Sequence, residues 1–395
     1  MRLRHRNGEE IHLGYCTNVH AAEDLDGILR QLDTYAVPVR ERLGESTLGI
    51  GLWLARRAAA ELASDPPAPR RLRAELAARG LEVVTLNGFP YQGFHHPVVK
   101  HAVYWPDWAS PQRLHYTWDL VWVLAGLLPD DVAEGSISTL PFGWASGWSG
   151  DQHDRACRHL DMLKAELADT YQRTGHTIRI AFEPEPGCLI ETTGQAVHYL
   201  SHLDPEHFGL CLDICHLAVA FEDPEAAVAE LDRAGISVFK AQVSCALHAA
   251  SPADPATRGA LAEFDEPMFL HQTRQAGRPP VGTDDLGDAL AGPRALSGEN
   301  PWRTHFHIPV HADPAPPLAS TRPVLQRALA ALLTADRPRT RHLEVETYTW
   351  AVLPEAPRGS ADLVNGIAAE LDWTRRELAR LGLTEPPPAL RGIVG

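Results

Sequence analysis

The sequence predicts an α/β protein, a single (β/α)8 barrel that spans residues 1–395 as one domain. Short apolar runs rich in β-branched residues alternate with longer helical patterns, as expected for βα units around a parallel sheet. Eight such runs occur, and eight strands close this kind of barrel. The residues beyond the usual barrel length of about 250 fall mainly in two segments that follow predicted strands. An open, doubly wound parallel sheet is the alternative.

The predicted strands are apolar runs bounded by turn-forming residues. They cover residues 11–18, 48–54, 81–87, 136–140, 177–183, 208–213, 236–244 and 342–347. Helical periodicity between them predicts helices at 24–43, 70–79, 112–128, 155–173, 225–234 and 325–333. One more amphipathic helix is predicted at 360–381, followed by a proline-rich tail to residue 395.

Two segments are too long for simple connections between a strand and a helix. Residues 91–110, after the third strand, are rich in aromatic side chains and histidine. Residues 248–304, after the seventh strand, are rich in proline, glycine, aspartate and alanine, and short helices are expected near 255–264 and 267–275. Both segments follow strands, so we expect them at the C-terminal rim of the barrel, where such folds hold their active sites.

Composition limits the classes of partner. The chain has 36 Lys and Arg against 51 Asp and Glu, a formal net charge of −15, which argues against nucleic acid as a partner. No apolar stretch reaches the length of a membrane span, and no apolar stretch follows the basic N-terminus, so a cytoplasmic protein is expected. Six cysteines without a C-x-x-C pair predict neither disulfides nor a thiolate zinc site. A homo-oligomer remains open.

Side chains able to bind a metal fall at the ends of four consecutive late strands. Period-two alternation places one set on the inner face of the barrel mouth: Glu183 or Glu185, Asp213, Lys240 with Gln242, and Glu344 or Glu346. Carboxylates together with an amide or imidazole suit Mn²⁺, Mg²⁺, Co²⁺ or Zn²⁺. Each acid alone could instead be a rim charge or a helix cap. We favour Glu183 because Pro184 ends the strand there, and Glu346 because it lies nearer the rim.

Histidines supply the nitrogen ligands of such a site. Asp213-x-x-His216 follows a strand directly, so both side chains can face one centre; the alternative is an aspartate that caps the next helix. His305, His307 and His311 are separated by even numbers of residues, so an extended chain would point all three the same way. Histidine is the commonest metal ligand. Some of these histidines could instead line an interface.

The late-strand pattern resembles the xylose-isomerase-like TIM-barrel superfamily, which includes sugar isomerases and epimerases, inositol-catabolism enzymes and the apurinic endonucleases. Leu-Asp-Ile-Cys-His at 212–216 is similar to the stretch after strand 6 of that family, and Glu183 and Glu346-Thr-Tyr are similar to its strand-5 and strand-8 glutamates. His305-Phe-His307 resembles the family's Asp-x-His pair. The resemblance and the strand-end pattern together give a metal-ligand set of Glu183, Asp213, His216, Gln242, His307 and Glu346.

Within this superfamily the chain is most similar to EboE-type metabolite traffic proteins, encoded beside other enzymes of an exported-metabolite cluster. The similar stretches are residues 14–20, 86–91, 138–141, 239–244 and 342–348. Two departures matter. Gln242 stands where the epimerases have a strand-7 histidine, so the missing nitrogen is expected from His216, His305 or His307. Trp53 stands near an early-strand position where the endonucleases need histidine, so a three-zinc site is not expected.

The resemblance and the residues predict a metal-dependent isomerase or epimerase of a sugar, cyclitol or related polyhydroxylated metabolite, in a biosynthetic or metabolite-export pathway. Glu183 and Glu346 are the expected base and acid, and Lys240 would stabilise the oxyanion or be ion-paired. Expected substrate contacts come from Asn18, His20, Trp53, Asn87, Tyr91, His216 and His305, although Trp53 could be a core residue. A non-catalytic carrier and an endonuclease-type phosphodiesterase are the alternatives.

Overall fold

The computed structural model describes residues 1–385 of the chain. Its strands are β1 (Arg2–Arg4), β2 (Glu10–Cys16), β3 (Leu48–Trp53), β4 (Leu81–Asn87), β5 (Glu134–Thr139), β6 (Thr177–Phe182), β7 (Phe208–Asp213), β8 (Val238–Val243), β9 (Ala246–Ala249), β10 (Thr273–Gln275), β11 (Val281–Thr283), β12 (Trp302–His307), β13 (Leu318–Ser320) and β14 (His342–Val345). Its helices are α1 (Leu25–Gln31), α2 (Val37–Leu43), α3 (Arg56–Ser64), α4 (Ala68–Ala78), α5 (Pro111–Leu127), α6 (Gly150–Thr174), α7 (Thr193–Leu200), α8 (Ile214–Val219), α9 (Pro224–Ala234), α10 (Pro255–Ala262), α11 (Leu286–Leu290), α12 (Arg322–Leu333) and α13 (Ser360–Arg380).

Eight parallel strands form a closed barrel. Their order is β2, β3, β4, β5, β6, β7, β8 and β14, and β14 pairs back onto β2. β1 adds one antiparallel strand to β2 outside the barrel. The predicted (β/α)8 barrel is therefore confirmed, and an open doubly wound sheet is excluded because the sheet has no free parallel edge.

One glycine makes room for a charged side chain inside the barrel. A Cβ atom on Gly51 would lie 1.1 Å from Oε1 of Glu344. Any side chain at position 51 would therefore displace the Glu344 carboxylate, which is fully buried. The barrel interior at this level holds charge rather than only apolar layers.

All eight predicted barrel strands are present, but most end earlier than predicted. Asn18 lies in a short 3-10 turn at Thr17–Val19, and Glu183 and Glu346 lie one residue beyond the ends of β6 and β14. The chain leaves the ladder there and places these polar side chains at the mouth. The helix predicted at 24–43 is instead divided by a π-helical turn at Leu32–Ala36.

Helices α3, α7 and α8 were not predicted. Apolar side chains bury one face of α3 and α7, but both are short, and α8 has only six residues. A signal for α7 was present, because Thr192 and Gln195 form a capping box at its start. Ser149 and Gln152 form the same box at the start of α6, which begins five residues before the predicted helix.

The long segment between β8 and β14 contains a small antiparallel sheet. Its strand order is β11, β10, β12, β9 and β13. The short helix expected near 255–264 matches α10, but the helix expected near 267–275 is wrong. Residues 273–275 are instead strand β10, which pairs with β11 on one side and β12 on the other. The pairing with β12 joins residues about thirty positions apart and overrides local helical periodicity.

The C-terminal helix is α13, and the proline-rich tail predicted after it lies largely outside the described residues. α13 packs against α2 and carries a buried glutamate, Glu370. Within residues 1–385, no helix is both long enough and apolar enough to cross a membrane.

Candidate functional site

Three carboxylates meet at the C-terminal mouth of the barrel. One oxygen each of Glu183, Asp213 and Glu346 can be chosen so that all three lie within 4.8 Å of one another. The three residues are at most 5 % exposed. Oε2 of Glu183 and Oδ2 of Asp213 are buried and have no hydrogen-bond partner. Carboxylates this close repel one another unless a cation or a proton separates them, so this carboxylate trio is suited to bind a metal ion.

The three acids differ in how firmly they hold a proton. Burial, and then the charge of Asp213, raises the pKa of Glu183 to about 8. Burial, and then the charge of Glu183, raises the pKa of Glu346 well above its usual value. Burial alone would raise the pKa of Asp213 too, but His216 and His307 lower it overall. The surroundings of Asp213 thus favour its ionised form, whereas those of the two glutamates favour the protonated form.

Asp213 acts in the fold and in the trio at once. Its Oδ1 accepts a hydrogen bond from the backbone N–H of His216 at 3.0 Å, and this bond caps helix α8. The same oxygen accepts a hydrogen bond from the Ser244 hydroxyl at 2.9 Å. Its Oδ2 is left without a partner. The cap and the ligand roles, which the sequence left as alternatives, are compatible in one side chain.

His307 is the histidine best placed to serve as a nitrogen ligand. Its Nδ1 donates to the backbone carbonyl of Glu346 at 2.7 Å, so Nε2 carries the lone pair, and Nε2 is buried without a partner. Burial lowers the pKa of His307 to about 4, which keeps the ring neutral. Asp213, His216 and His307 form a second group whose ligand atoms lie within 4.8 Å of one another. A backbone carbonyl that fixes the tautomer is the usual support of a metal-bound histidine.

His216 and His305 instead form a pair. Their Nε2 atoms are 3.0 Å apart. Nδ1 of His216 donates to the backbone carbonyl of Pro184 at 2.8 Å, and Nδ1 of His305 donates to the side-chain oxygen of Gln272 at 2.7 Å. One proton must therefore lie between the two Nε2 atoms. Burial alone would lower the pKa of His216, but Asp213 and other carboxylates raise it, whereas burial and His216 lower that of His305. Both shifts favour protonation of His216 over His305.

Glu185 lies in a hydrogen-bonded network beside this pair rather than in the trio. The Tyr104 hydroxyl donates to Glu185 Oε1 at 2.6 Å, and Gln272 Nε2 donates to the Tyr104 oxygen at 2.8 Å. Gln272 thus links Glu185 and Tyr104 to His305. Sequence reasoning missed Tyr104 and Gln272, because both lie in inserted segments whose contacts are made across the chain.

Lys240 and Gln242 of strand β8 lie inside the barrel, away from the pocket lining. Lys240 is fully buried, ion-paired with Glu344, and 3.3 Å from the Ser138 hydroxyl. The expectation that Lys240 contacts the substrate is therefore corrected, and its ion-paired alternative holds. Gln242 pairs in register with Asp213 and Glu344, and neither polar atom of its side chain has a partner. It remains a candidate oxygen ligand.

The two asparagines expected to bind substrate line the pocket and also hold Glu346. Nδ2 of Asn18 and Nδ2 of Asn87 donate to Glu346 Oε1 at 2.7 and 3.1 Å. Oδ1 of Asn18 is buried without a partner. These contacts fix the orientation of Glu346 and leave one amide oxygen for a ligand.

Three other predicted substrate contacts lie outside the pocket lining, and we correct them. His20 bonds the Tyr15 hydroxyl and stacks on a neighbouring tyrosine. Tyr91 packs edge-on against Tyr116, 5.1 Å between ring centroids. Trp53 donates to the Pro90 carbonyl and lies beside Phe94 in a satellite apolar cluster, as the core alternative anticipated. Each ring is held by packing partners that the sequence pattern does not reveal.

Part of the pocket lining is apolar, and the sequence analysis did not identify these side chains. Its lining includes Phe94, Val99, Val103, Phe269 and Leu270. The first three lie in the aromatic-rich segment after β4 and the last two in the segment between β9 and β10. The density of aromatic residues at 89–108 was a signal for this wall.

Part of the chain matches a known protein family. Residues 124–258, which contain Glu183, Asp213 and Gln242, match the family model described as Xylose isomerase-like TIM barrel. The resemblance to this superfamily is confirmed. None of the curated proteins compared matches the sequence. The similarity to EboE-type proteins stays a prediction.

Solved structures share the fold at low sequence identity. A D-tagatose 3-epimerase-like protein is 12 % identical with a TM-score of 0.50, covering 94 % of this chain and 98 % of that one. A xylose isomerase domain protein from Alicyclobacillus acidocaldarius is 13 % identical with a TM-score of 0.50, covering 94 % and 99 %. An IOLI protein with a binding zinc atom is 11 % identical with a TM-score of 0.50, also covering 94 % and 99 %. At these identities the similarity establishes the fold.

Proposed function

We propose that this protein is a divalent-metal-dependent isomerase or epimerase of a small polyhydroxylated metabolite, a sugar or cyclitol, acting by proton transfer next to a carbonyl. The observation that carries the proposal is the buried trio of Glu183, Asp213 and Glu346, whose ligand oxygens lie within 4.8 Å of one another, together with an unpartnered oxygen on Glu183 and on Asp213. Structures of the same fold are described as a D-tagatose 3-epimerase-like protein and as a protein with a binding zinc atom, which agrees with this proposal.

The donor set fits a divalent cation. Glu183, Asp213 and Glu346 supply oxygens, and His307 supplies a neutral, unpartnered Nε2. Mixed carboxylate and imidazole ligands suit Mn²⁺, Co²⁺ or Zn²⁺, and Mg²⁺ is favoured as the oxygen share rises. When bound, the ion would polarise the carbonyl and hydroxyl oxygens of the substrate and acidify the adjacent C–H bond.

Glu183 and Glu346 are the proton-transfer groups. Both carboxylates are buried and line the pocket, where a residue that exchanges a proton with a bound substrate must lie. Asn18 and Asn87 hold Oε1 of Glu346, so the orientation of this carboxylate is fixed while it exchanges a proton. In an epimerisation, one carboxylate removes the proton from one face of the carbon and the other returns it to the opposite face.

Two alternatives are less well supported. A three-zinc phosphodiesterase needs nitrogen ligands on early strands, but Trp53 is packed in an apolar cluster and Asn87 is bonded to Glu346. A metal-free carrier gives no physical reason to bury several carboxylate oxygens without partners, because such burial is costly unless a cation compensates.

Solvent deuterium exchange tests the proposal. The Mn²⁺-loaded protein would be incubated in D₂O with a panel of ketoses and inososes, and deuterium incorporation next to the carbonyl followed by NMR. We expect exchange with at least one compound, abolished in Glu183→Gln and retained in Glu61→Gln, the same change at an exposed glutamate of α3 outside the pocket lining. Isomerised product without deuterium would indicate hydride shift instead. No exchange and no product across the panel would contradict the proposal.

A further inference from the structure

The candidate pocket is lined by two chemically different groups of side chains. One group comprises the carboxylates, histidines and asparagines. The other group, the apolar wall, comprises Phe94, Val99, Val103, Phe269 and Leu270, together with Phe89. A ligand that fills this pocket therefore contacts both polar and apolar groups.

Part of the apolar wall lies outside the main core, although Leu270 and Phe89 belong to that core. Phe94, Val99 and Phe269 belong to a buried cluster separate from the main core, and each is at most 7 % exposed. The rings of Phe94 and Phe269 lie 5.2 Å apart, and that of Tyr348 lies 4.9 Å from Phe269. Phe94, Val99 and Phe269 are therefore packed with one another rather than within the cluster that fills the barrel.

Backbone hydrogen bonds join the two segments that carry this wall. The N–H groups of Val99 and Lys100 both donate to the carbonyl of Met268, at 2.7 and 3.0 Å. The two inserted segments thus meet over the pocket and present their apolar side chains inward. Such prior organisation lowers the entropy cost of binding an apolar group there.

The pocket offers no free cation for a phosphate. Among the described residues that line it, Lys100 is the one lysine or arginine, and its ammonium is bound by Asp285 at 2.5 Å and by the Glu266 carbonyl at 3.3 Å. Phosphate recognition needs arginine, lysine or a helix N-terminus that is free to bind it. The remaining charged side chains of the lining include the carboxylates, which repel a phosphate.

We infer that the substrate is an uncharged polyol that carries an apolar substituent, with its hydroxyl and carbonyl oxygens at the carboxylate trio and the substituent against Phe94, Val99 and Phe269. The inference rests on the proposed function and adds a substrate class to it. An aromatic or hydrocarbon group on the polyol fits this wall, and a sugar phosphate does not.

Binding calorimetry with three related probes tests the inference. The Mn²⁺-loaded protein would be titrated with D-fructose, with 6-O-benzyl-D-fructose and with D-fructose 6-phosphate. We expect the benzyl ether to bind at least about tenfold more tightly than D-fructose, since it buries an additional ring. The phosphate is expected to bind no more tightly than D-fructose. Equal affinities of the benzyl ether and D-fructose, tightest binding of the phosphate, or no binding of any probe would overturn the inference.

A substitution in the wall identifies where the ring binds. Phe269→Ala is expected to remove most of the advantage of the benzyl ether and to leave D-fructose affinity within about twofold. Val98→Ala, at a residue that is 60 % exposed and next to the wall, is the matched control and should change neither affinity. If Phe269→Ala does not fold, Phe269→Leu takes its place, and the affinities of the three probes for the unaltered protein still test the inference. An unchanged preference in a folded Phe269 variant would contradict the assignment.

The failure of this inference can be told apart from the failure of the proposed function. Intact Mn²⁺ binding and deuterium exchange with no preference for the benzyl ether would remove the apolar substituent alone. If the unaltered protein does not bind Mn²⁺, the metal-dependent function is wrong, whether or not the benzyl ether is preferred.

Discussion

His307 lies on a strand of the small sheet, yet it reaches the barrel mouth and bonds the backbone of Glu346. On strand β8 the chain has Gln242 at the position where the resemblance to the epimerases implies a histidine. An imidazole from the inserted segment can therefore replace one from the barrel. The sequence could narrow the nitrogen donor to three histidines. The contacts of Nε2 distinguish among them, because that atom has no partner in His307, whereas the Nε2 atoms of His216 and His305 face each other.

We predict that His307→Ala lowers Mn²⁺ affinity at least about tenfold, because the site loses its neutral nitrogen donor. His311→Ala is the control, since this residue lies four positions on, stacked on Trp350 and outside the groups of candidate ligands. Calorimetry on chelator-treated protein measures both. If Gln242→Ala lost the metal and His307→Ala kept it, the ligand assignment would be wrong.

Lys240 and Glu344 form an ion pair in the fully buried barrel interior. Lys240→Met leaves the Glu344 carboxylate without its partner, and we expect the free energy of unfolding to fall by about 3–5 kcal/mol. The double variant Lys240→Met/Glu344→Leu should recover most of that loss, because no charge is then buried. Urea unfolding measures both variants.

The double variant also tests the place of Lys240 in function. Lys240 does not line the pocket, so Mn²⁺ affinity in the double variant should stay close to that of the unaltered protein. A large loss of affinity in a folded double variant would restore a direct role for Lys240.

Helix α13 supports the site through one buried acid. Oε1 of Glu370 accepts bonds from the Thr347 hydroxyl (2.6 Å) and the Val310 backbone (3.1 Å), and Oε2 accepts one from Trp350 (3.0 Å). Thr347 follows Glu346, and Val310 follows the His307 strand by three residues. One carboxyl group thus ties together the two segments that present candidate ligands.

Glu370 predicts a dependence of stability on pH. Burial raises its pKa to about 7, from 4.5 in the unfolded chain. The folded state therefore binds the proton more tightly, so the contribution of this group is fully present below about pH 4.5 and is lost as the pH rises through 7. Between pH 5 and pH 8, the stability difference between the unaltered protein and Glu370→Gln should change by about 1–3 kcal/mol.

Urea unfolding at both pH values measures this difference. Asp362→Asn, an exposed acid in the first turn of the same helix, is the control and should follow the pH profile of the unaltered protein. Identical pH profiles for Glu370→Gln and the unaltered protein would show that Glu370 is ionised throughout.

Elements were predictable from sequence where the local pattern and the final contacts agree. The barrel strands are apolar runs buried on both faces, so each of them was identified. Residues 267–275 were not, because β10 forms through pairing with β12, about thirty residues later in the chain. The same reason hid Tyr104 and Gln272, whose partners lie on distant segments.

On the scale of the whole molecule, the carboxylate trio is the point where strands distant in the chain converge. The ends of β6, β7 and β14 bring three acids together in a chain whose formal charge is already −15. A bound cation would relieve that local repulsion. Acids at the strand ends made a carboxylate cluster predictable, and Pro184 was the reason for preferring Glu183 over Glu185. The contacts that occupy Glu185 are visible only in the structure.

Metal binding should therefore stabilise the fold. With free Mn²⁺ about 100-fold above its dissociation constant, we expect about 2.7 kcal/mol of added stability, seen as a raised melting temperature in a thermal-shift assay. Addition of a chelator should reverse the shift. An equal shift in Glu346→Gln would place the binding elsewhere on the molecule.

The most direct test of the account is a Mn²⁺ titration of chelator-treated protein beside its Asp213→Asn and Asp223→Asn variants. Both aspartates cap a helix through Oδ1, which asparagine preserves, but only Asp213 belongs to the trio. We predict that the unaltered protein and Asp223→Asn each bind one ion per chain. Folded Asp213→Asn should bind Mn²⁺ with an affinity at least about tenfold lower. Absence of Mn²⁺ binding in the unaltered protein, or equal affinity in all three, would contradict it.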